Sequence, residues 1–197
     1  MTEGKINIIV LGNFSVGKTC FILRYTNNVY NQIHLSTIGI DFKTKDVILP
    51  NKQSYKILYY DTAGEERYRS LSLNSIKNAD GIILLYDITN IGSFESIQNW
   101  MSGINELKGK NFPAILIGNK CDLNEDRVIS YSKGKELAQS LGINFYETSS
   151  KDNINIEESN LDVIYKIIEY RDKKKNNKDK KSIRLNKSKV KKKRKCC

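Results

Sequence analysis

A complete phosphate-binding motif lies near the start of the chain. Residues 12–19 read Gly-Asn-Phe-Ser-Val-Gly-Lys-Thr, which matches the pattern G-x-x-x-x-G-K-[ST]. The apolar run Ile6–Leu11 precedes it, and Cys20–Tyr25 follows with apolar residues at helical spacing. This strand–loop–helix order lets backbone N–H groups and a helix N-terminus face the phosphates of a nucleotide. Lys18 is expected to reach the β- and γ-phosphates, and the Thr19 hydroxyl is expected to bind Mg²⁺.

A second set of residues could sense the metal and the third phosphate. Asp61-Thr62-Ala63-Gly64 directly follows a predicted strand. The Asp61 carboxylate would hold Mg²⁺ through water, and Gly64, which has no side chain, lets its N–H approach a γ-phosphate oxygen. Thr37 lies in the loop before the second strand, where its hydroxyl and carbonyl could close around Mg²⁺ and the γ-phosphate. Loss of the third phosphate would therefore release two loops.

The motif Asn119-Lys120-Cys121-Asp122 is the candidate for base selectivity. A carboxylate accepts both N–H groups on the Watson–Crick edge of guanine, and adenine offers no such pair, so Asp122 disfavours adenine nucleotides. The Lys120 stem can lie over the ring, while Asn119 ties the loop to its neighbours. A second wall is expected from Glu147-Thr148-Ser149-Ser150-Lys151, with a backbone N–H near residue 150 facing the guanine carbonyl.

The periodicity of apolar residues predicts the scaffold that positions these motifs. Residues 41–49 and Ser54–Tyr60 flank the turn signal Pro50-Asn51-Lys52, which predicts an antiparallel hairpin. Further strands are predicted at Lys5–Leu11, Gly81–Asp87, Ala114–Gly118 and Asn144–Glu147, and helices at Gly17–Thr26, Ser93–Leu107, Ser132–Ser140 and Glu157–Tyr170. This order indicates an α/β fold: a six-stranded, mostly parallel sheet with one antiparallel edge strand and helices on both faces. In such sheets ligands bind beyond the carboxyl ends of the strands.

Positive charge is concentrated at the end of the chain. The formal net charge is +11, but residues 171–197 hold 15 Lys or Arg against two Asp, which leaves 18 basic and 20 acidic residues in 1–170. We therefore expect a nucleotide-binding domain, residues 1–170, and a tail, residues 171–197, whose composition predicts disorder. The tail could be a solubility segment, a nucleic-acid or nuclear-import patch, or a membrane tether. The terminal Cys196 and Cys197 favour the tether, and nearby Lys and Arg would add attraction to an anionic membrane.

Composition argues against other classes. No apolar run reaches the about 18 residues of a membrane span, and we expect no secretory signal. The cysteines at positions 20, 121, 196 and 197 fit neither a disulfide framework nor a zinc site. His34 is the single histidine, so a site built on two histidines is excluded.

Together these motifs resemble the Ras-like small GTPases over residues 5–170, and the Rab family fits best. The stretch Ser36-Thr37-Ile38-Gly39-Ile40-Asp41-Phe42 matches the family's switch I, and the motif at 61–64 followed by Glu66-Arg67-Tyr68-Arg69-Ser70-Leu71 matches its switch II. Leu85-Tyr86-Asp87-Ile88-Thr89 matches a third segment, and the terminal Cys-Cys matches its prenylation signal. Ser93–Trp100 and Glu147–Ile156 look most like the exocytic subgroup.

The resemblance implies a phosphate-loop NTPase fold and a GTP-binding switch with slow hydrolysis that regulates vesicle traffic by recruiting effectors to membranes. It implies nucleotide contacts from Gly12, Ser15, Val16, Gly17, Lys18, Thr19, Cys20, Thr37, Gly64, Asn119, Lys120, Asp122, Ser149, Ser150 and Lys151. Magnesium contacts are expected from Thr19, Thr37 and Asp61, catalytic roles for Lys18, Thr37, Gly64 and Glu65, and lipidation of Cys196 and Cys197.

Partners and location follow from the same resemblance. We expect effectors, an exchange factor, a GTPase-activating protein and a prenyl-binding chaperone, but no nucleic acid. The chain is expected to be a monomer that cycles between the cytosol and the cytosolic face of an intracellular or plasma membrane.

Several positions depart from the family pattern. Glu65 stands where the family almost always has Gln, and a carboxylate cannot donate toward the phosphoryl oxygen in the transition state. Phe14 occupies a position of Gly or a small residue, and Ser15 replaces a Gly, which is strained if its φ is positive. Tyr60 and the segment 75–79 replace aromatic residues of an effector-facing surface. These departures leave an alternative open: a hydrolysis-deficient, constitutively GTP-bound scaffold.

Overall fold

The computed structural model describes residues 4–31, 39–62 and 75–193, with side chains described up to residue 176. The predicted site residues Thr37, Gly64 and Glu65 lie outside these ranges, as do Cys196 and Cys197.

A six-stranded sheet forms the centre of the domain. Its strands are β1 (Gly4–Leu11), β2 (Ile40–Ile48), β3 (Ser54–Thr62), β4 (Gly81–Asp87), β5 (Ala114–Asn119) and β6 (Asn144–Thr148). Their order across the sheet is β2-β3-β1-β4-β5-β6. All neighbours are parallel except β2 and β3, which pair antiparallel from Ile40 opposite Thr62 to Ile48 opposite Ser54. The predicted sheet with one antiparallel edge strand is confirmed.

Helices cover both faces of this sheet, as predicted. The helices are α1 (Lys18–Asn27), α2 (Ile91–Lys108), α3 (Tyr131–Leu141) and α4 (Ile156–Lys193). One core joins the sheet to α1 and α4 through Phe21, Ile22, Val163, Ile164 and Ile167. The opposite core joins it to α2 and α3 through Ile97, Trp100, Met101, Ile104, Leu137 and Ala138. Because every residue of β4 and β5 is buried, these strands read as continuous apolar runs.

Side-chain caps explain where two of the helices begin. Asn90 Oδ1 accepts from the N–H of Ser93 at 3.0 Å at the start of α2, and Ser130 Oγ accepts from the N–H of Lys133 at 3.3 Å at the start of α3. Gly142, with φ of 70°, ends α3 in the left-handed conformation that glycine adopts without strain.

The helical backbone of α4 continues to Lys193, past the end predicted for this helix at Tyr170. No Gly or Pro interrupts residues 156–193, and Lys has high helix propensity, so local preference favours continuation beyond the apolar face. Arg171 itself belongs to the domain, because its guanidinium pairs with Asp80 at 2.7 Å and donates to the carbonyl of Lys5 at 2.8 Å.

A buried hydrogen bond ties β3 to α4. The Tyr59 hydroxyl donates to Asn160 Oδ1 at 2.6 Å, and Asn160 Nδ2 donates to the carbonyl of Ile156 at 2.7 Å. Both side chains have no solvent-exposed surface. A buried amide oxygen that loses its donor is costly.

Tyr59→Phe is therefore expected to lower the free energy of unfolding by about 1–3 kcal/mol, because Asn160 Oδ1 would lose its donor. Tyr86→Phe is the matched control, since the Tyr86 hydroxyl is buried without a hydrogen-bond partner among the described residues. Urea denaturation of the two variants measures the difference. Equal losses of stability would contradict the assigned role of the Tyr59–Asn160 bond.

Candidate functional site

The predicted motifs meet at one edge of the sheet. Strands β1, β3, β4, β5 and β6 are mutually parallel, so their carboxyl ends lie together. The phosphate-binding loop follows β1, Asp61 lies near the end of β3, and the base motif follows β5. This edge is where ligands bind in parallel α/β sheets.

Two glycines allow the phosphate-binding loop to fit tightly. A Cβ added to Gly12 would clash with the carbonyl oxygen of Leu85 in β4. Gly17 has φ of 94°, and a Cβ there would come within 2.5 Å of Asn119 Nδ2. The loop therefore packs directly against the base motif at the start of α1.

Ser15 adopts the left-handed conformation, with φ of 63°. The sequence predicted backbone strain at Ser15 if its φ were positive, and the structure has this positive φ. The strain costs roughly 1–2 kcal/mol for a residue that carries a Cβ. The adjacent Phe14 is 55% exposed, so its ring projects out of the apolar core.

Ser15→Gly is expected to raise the free energy of unfolding by about 0.5–1 kcal/mol, because relief of strain outweighs the entropy that glycine loses on folding. Ser15→Ala is the matched control, since it keeps the Cβ and removes only the hydroxyl. Thermal unfolding of the nucleotide-free proteins measures both. A stability gain in the Ala variant equal to that in the Gly variant would contradict the strain.

Lys18 is held inside the loop. Its side chain is 6% exposed, and Nζ donates to the carbonyls of Gly12 at 3.0 Å and Asn13 at 2.8 Å. Burial lowers the pKa of Lys18 to about 8, and the negative charge of Asp61 partly offsets this. A buried ammonium whose charge is poorly balanced is well suited to bind phosphate oxygens.

Asp61 and Thr19 are the two predicted magnesium ligands that lie within the described residues. The Asp61 side chain is 2% exposed, and its Oδ1 atom has no hydrogen-bond partner among the described residues. Burial raises the pKa of the Asp61 carboxyl. A hydrogen bond from the Thr19 hydroxyl and the positive charge of Lys18 lower this pKa and partly offset the effect of burial. A buried carboxylate oxygen without a partner, beside a hydroxyl, fits the hard oxygen ligands that Mg²⁺ prefers.

Asn119 joins the loops of the site, which confirms its predicted tying role. Its Nδ2 donates to the carbonyl of Val16 at 2.9 Å, and its Oδ1 accepts from the Thr148 hydroxyl at 3.0 Å. Asp122 is oriented in the same region, because the Ser149 hydroxyl donates to its Oδ1 at 2.6 Å. The second predicted wall therefore contacts the base motif directly.

Two residues that make contacts in the site were not predicted, Asp87 and Arg24. Lys120 Nζ pairs with Asp87 Oδ2 at 2.7 Å, and Thr89 donates to Asp87 Oδ1 through its N–H at 2.9 Å and its hydroxyl at 2.8 Å. Asp87 is the last residue of β4, so its place at a carboxyl strand end was the available signal. The other residue is Arg24, whose guanidinium donates to the carbonyls of Ser150 and Lys151 in the loop after β6.

Cys20 directly follows the phosphate-binding motif, Cys121 lies within the base motif, and both are partly buried. Burial raises the pKa of each thiol, which keeps the thiols protonated at neutral pH. Cys121 packs against the core under α2 and α3.

Comparison with known proteins identifies the family of this chain. The Ras family model matches residues 7–169. The chain is 45% identical over 150 residues to Rab-3 of Caenorhabditis elegans, a match that covers 76% of this chain and 68% of that protein. It is 44% identical over 152 residues to human Rab-3A, with 77% and 69% covered, and 44% identical over 158 residues to the GTP-binding protein yptV2 of Volvox carteri, with 80% and 72% covered.

These matches confirm the Rab resemblance and its exocytic-type subgroup, and they span about two thirds of the length of the relatives. The geometry agrees with them, since phosphate, metal and base motifs meet at one sheet edge. The chain therefore belongs to the Ras family, in its Rab branch, and is a small GTPase that binds GTP or GDP together with Mg²⁺.

Proposed function

We propose that this chain is a GTP-controlled switch in vesicle traffic that recruits effectors in its GTP state. The observation that carries the proposal is that three features lie at one sheet edge: the buried Lys18, the Asp61 Oδ1 atom without a partner among the described residues, and the Ser149–Asp122 hydrogen bond. Phosphate, metal and guanine recognition are thereby brought together.

Each of these groups has a distinct proposed role. Lys18 neutralises the β- and γ-phosphates, Asp122 accepts from the guanine N–H groups, and Asn119 holds the phosphate and base loops together. Thr19 and Asp61, with Thr37, hold Mg²⁺, which when bound neutralises charge on the phosphate oxygens. Gly64 is proposed to detect the γ-phosphate.

Hydrolysis is proposed to be slow, with Glu65 positioning the attacking water less well than a glutamine. Phe14 supports a second candidate, the hydrolysis-deficient scaffold, because its half-exposed ring lies in the phosphate-binding loop where it could obstruct a stimulating arginine. The two candidates differ in which nucleotide the protein retains.

Analysis of the nucleotide in freshly purified protein tests the switch. A turning-over GTPase is expected to retain GDP, and single-turnover decay of loaded GTP then gives the rate. Retained GTP that does not decay would favour the scaffold, and protein free of guanine nucleotide that also fails to bind GDP with Mg²⁺ would contradict both.

Effectors are proposed to bind the exposed face of β2. Phe42 is 52% exposed and packs against Tyr60 with ring centroids 4.9 Å apart in an edge-to-face arrangement. Lys43 and Asp41 pair beside this aromatic contact at 2.8 Å. An aromatic pair with a charged rim is typical of a binding surface for protein partners.

The tail is proposed to hold the protein on an anionic membrane through geranylgeranylated Cys196 and Cys197, with a prenyl-binding chaperone carrying it in the cytosol. In the described part of the chain, no helix is both long and apolar enough to cross a bilayer. Helix α4 leaves the domain at the amino ends of the strands, opposite the nucleotide site, where Arg171 contacts Lys5 and Asp80. A membrane bound there would leave the nucleotide site accessible.

The intact mass of the protein from its native source tests the anchor. Two geranylgeranyl groups are expected on Cys196 and Cys197, and a mass that corresponds to unmodified cysteines would contradict lipid anchoring.

A further inference from the structure

Arg24 connects the first helix to the loop that follows β6. It lies in the last turn of α1, and its Nε donates to the carbonyl of Ser150 at 2.6 Å while Nη2 donates to the carbonyl of Lys151 at 3.0 Å. The contact joins residues 126 positions apart in the chain. A planar guanidinium presents these donors in a fixed geometry.

The loop that Arg24 holds also orients the base-reading carboxylate. Ser149 and Ile154 close the loop by exchanging backbone hydrogen bonds of 3.2 and 3.0 Å. The Ser149 hydroxyl accepts from the N–H of Asp152 at 2.9 Å and donates to Asp122 at 2.6 Å. Arg24 therefore binds the residue next to the one that fixes Asp122.

The remaining nitrogen of the Arg24 guanidinium contacts the residue that caps the end of α1. Its Nη1 donates to the backbone carbonyl of Asn28 at 3.3 Å and to Asn28 Oδ1 at 3.2 Å. The guanidinium carbon lies 5.8 Å from the centre of the Tyr30 ring. Arg24 thus joins the base-reading loop to the segment that leads toward Thr37.

We infer that Arg24 is a positioning residue for guanine recognition, which fixes the loop 149–154 against α1 and so slows nucleotide release. The inference rests on the proposed role of Asp122. Without the guanidinium, the carbonyls of Ser150 and Lys151 lose these donors, and the loop that carries Ser149 is held less firmly against α1. The base is then held less firmly while the phosphate contacts of Lys18 are intact.

The test measures dissociation of GDP and of inosine diphosphate, which lacks the 2-amino group that Asp122 reads. Arg24→Gln is expected to speed GDP release about five- to twentyfold. The advantage of GDP over inosine diphosphate should shrink by about threefold or more, because a displaced Asp122 no longer reads the missing amino group. Arg24→Lys keeps the positive charge but loses the planar set of guanidinium donors, so a rate of GDP release between those of the wild type and Arg24→Gln is expected.

Lys108→Gln is the matched control. Lys108 Nζ donates to the carbonyls of Lys77 at 2.7 Å and Ala79 at 3.0 Å, at the opposite end of the sheet. This variant also loses two contacts to backbone carbonyls, yet both release rates should stay within about twofold of the wild type.

GDP release from Arg24→Gln within about twofold of the wild type, or equal acceleration of both nucleotides, would overturn the inference. If Arg24→Gln does not fold, the same two outcomes are read from Arg24→Lys. Failure of the wild-type protein to bind GDP would instead contradict the proposed function, so the two failures are distinguishable.

Discussion

Asp122→Asn is expected to weaken GDP binding by about 10³-fold, the largest loss among the single substitutions considered. The carboxylate accepts two N–H groups of guanine, whereas the amide turns one acceptor into a donor that faces a donor. Xanthosine diphosphate carries a carbonyl in place of the 2-amino group, so the variant should bind it better than the wild type does. Competition against fluorescent GDP measures both affinities.

Asp126→Asn is the control for this exchange of charge. Asp126 lies in the short 3₁₀ turn Asn124–Asp126 just after the base motif, and its side chain is exposed. Its removal should leave the preference for guanine unchanged. A variant at Asp122 that still prefers GDP to xanthosine diphosphate as strongly as the wild type would contradict the assignment of the base reader.

Glu65→Gln is expected to increase hydrolysis stimulated by an arginine-supplying partner about 10²-fold or more, which is part of the roughly 10³–10⁵-fold stimulation that such a partner can supply. The amide can orient the attacking water and also donate toward the transition state. The carboxylate instead places negative charge beside the charge that develops there. Single-turnover assays with and without the stimulating protein measure the change.

Glu66→Gln is the matched control, because it removes the same charge one position further along the chain. It should leave stimulated hydrolysis near the wild-type rate. Full stimulation of the wild-type protein, or equal gains in both variants, would contradict the role proposed for Glu65.

The scaffold could be predicted because its determinants are local. Gly81–Asp87 was predicted at its observed bounds, since a strand covered on both faces is a continuous apolar run. The hairpin was predicted because alternation on both sides of Pro50 meets a turn signal. The last helix extends to Lys193 and not only to the predicted Tyr170, because apolar packing ends near Arg171 while helix propensity still favours a helical backbone.

The site could be predicted only where chemistry follows from residue type and spacing. Lys18, Asp61 and Asn119 belong to spaced motifs, and the sheet brings them together as expected. The contacts of Arg24 with Ser150 and of Asp87 with Lys120 follow from no spaced motif, because these partners lie far along the chain and depend on how α1 and β4 pack. The sequence could predict only that Ser15 would be strained if its φ were positive; the value of φ comes from the structure.

The central claim is that the sheet edge between Gly12 and Asp122 holds a guanine nucleotide with Mg²⁺. Isothermal titration of the nucleotide-free protein with GDP, GTP and ATP, with Mg²⁺ present, tests it most directly. We expect saturable one-site binding of GDP and GTP, with ATP weaker by several orders of magnitude. The absence of binding heat for both guanine nucleotides, or ATP binding as tight as GTP, would contradict the claim.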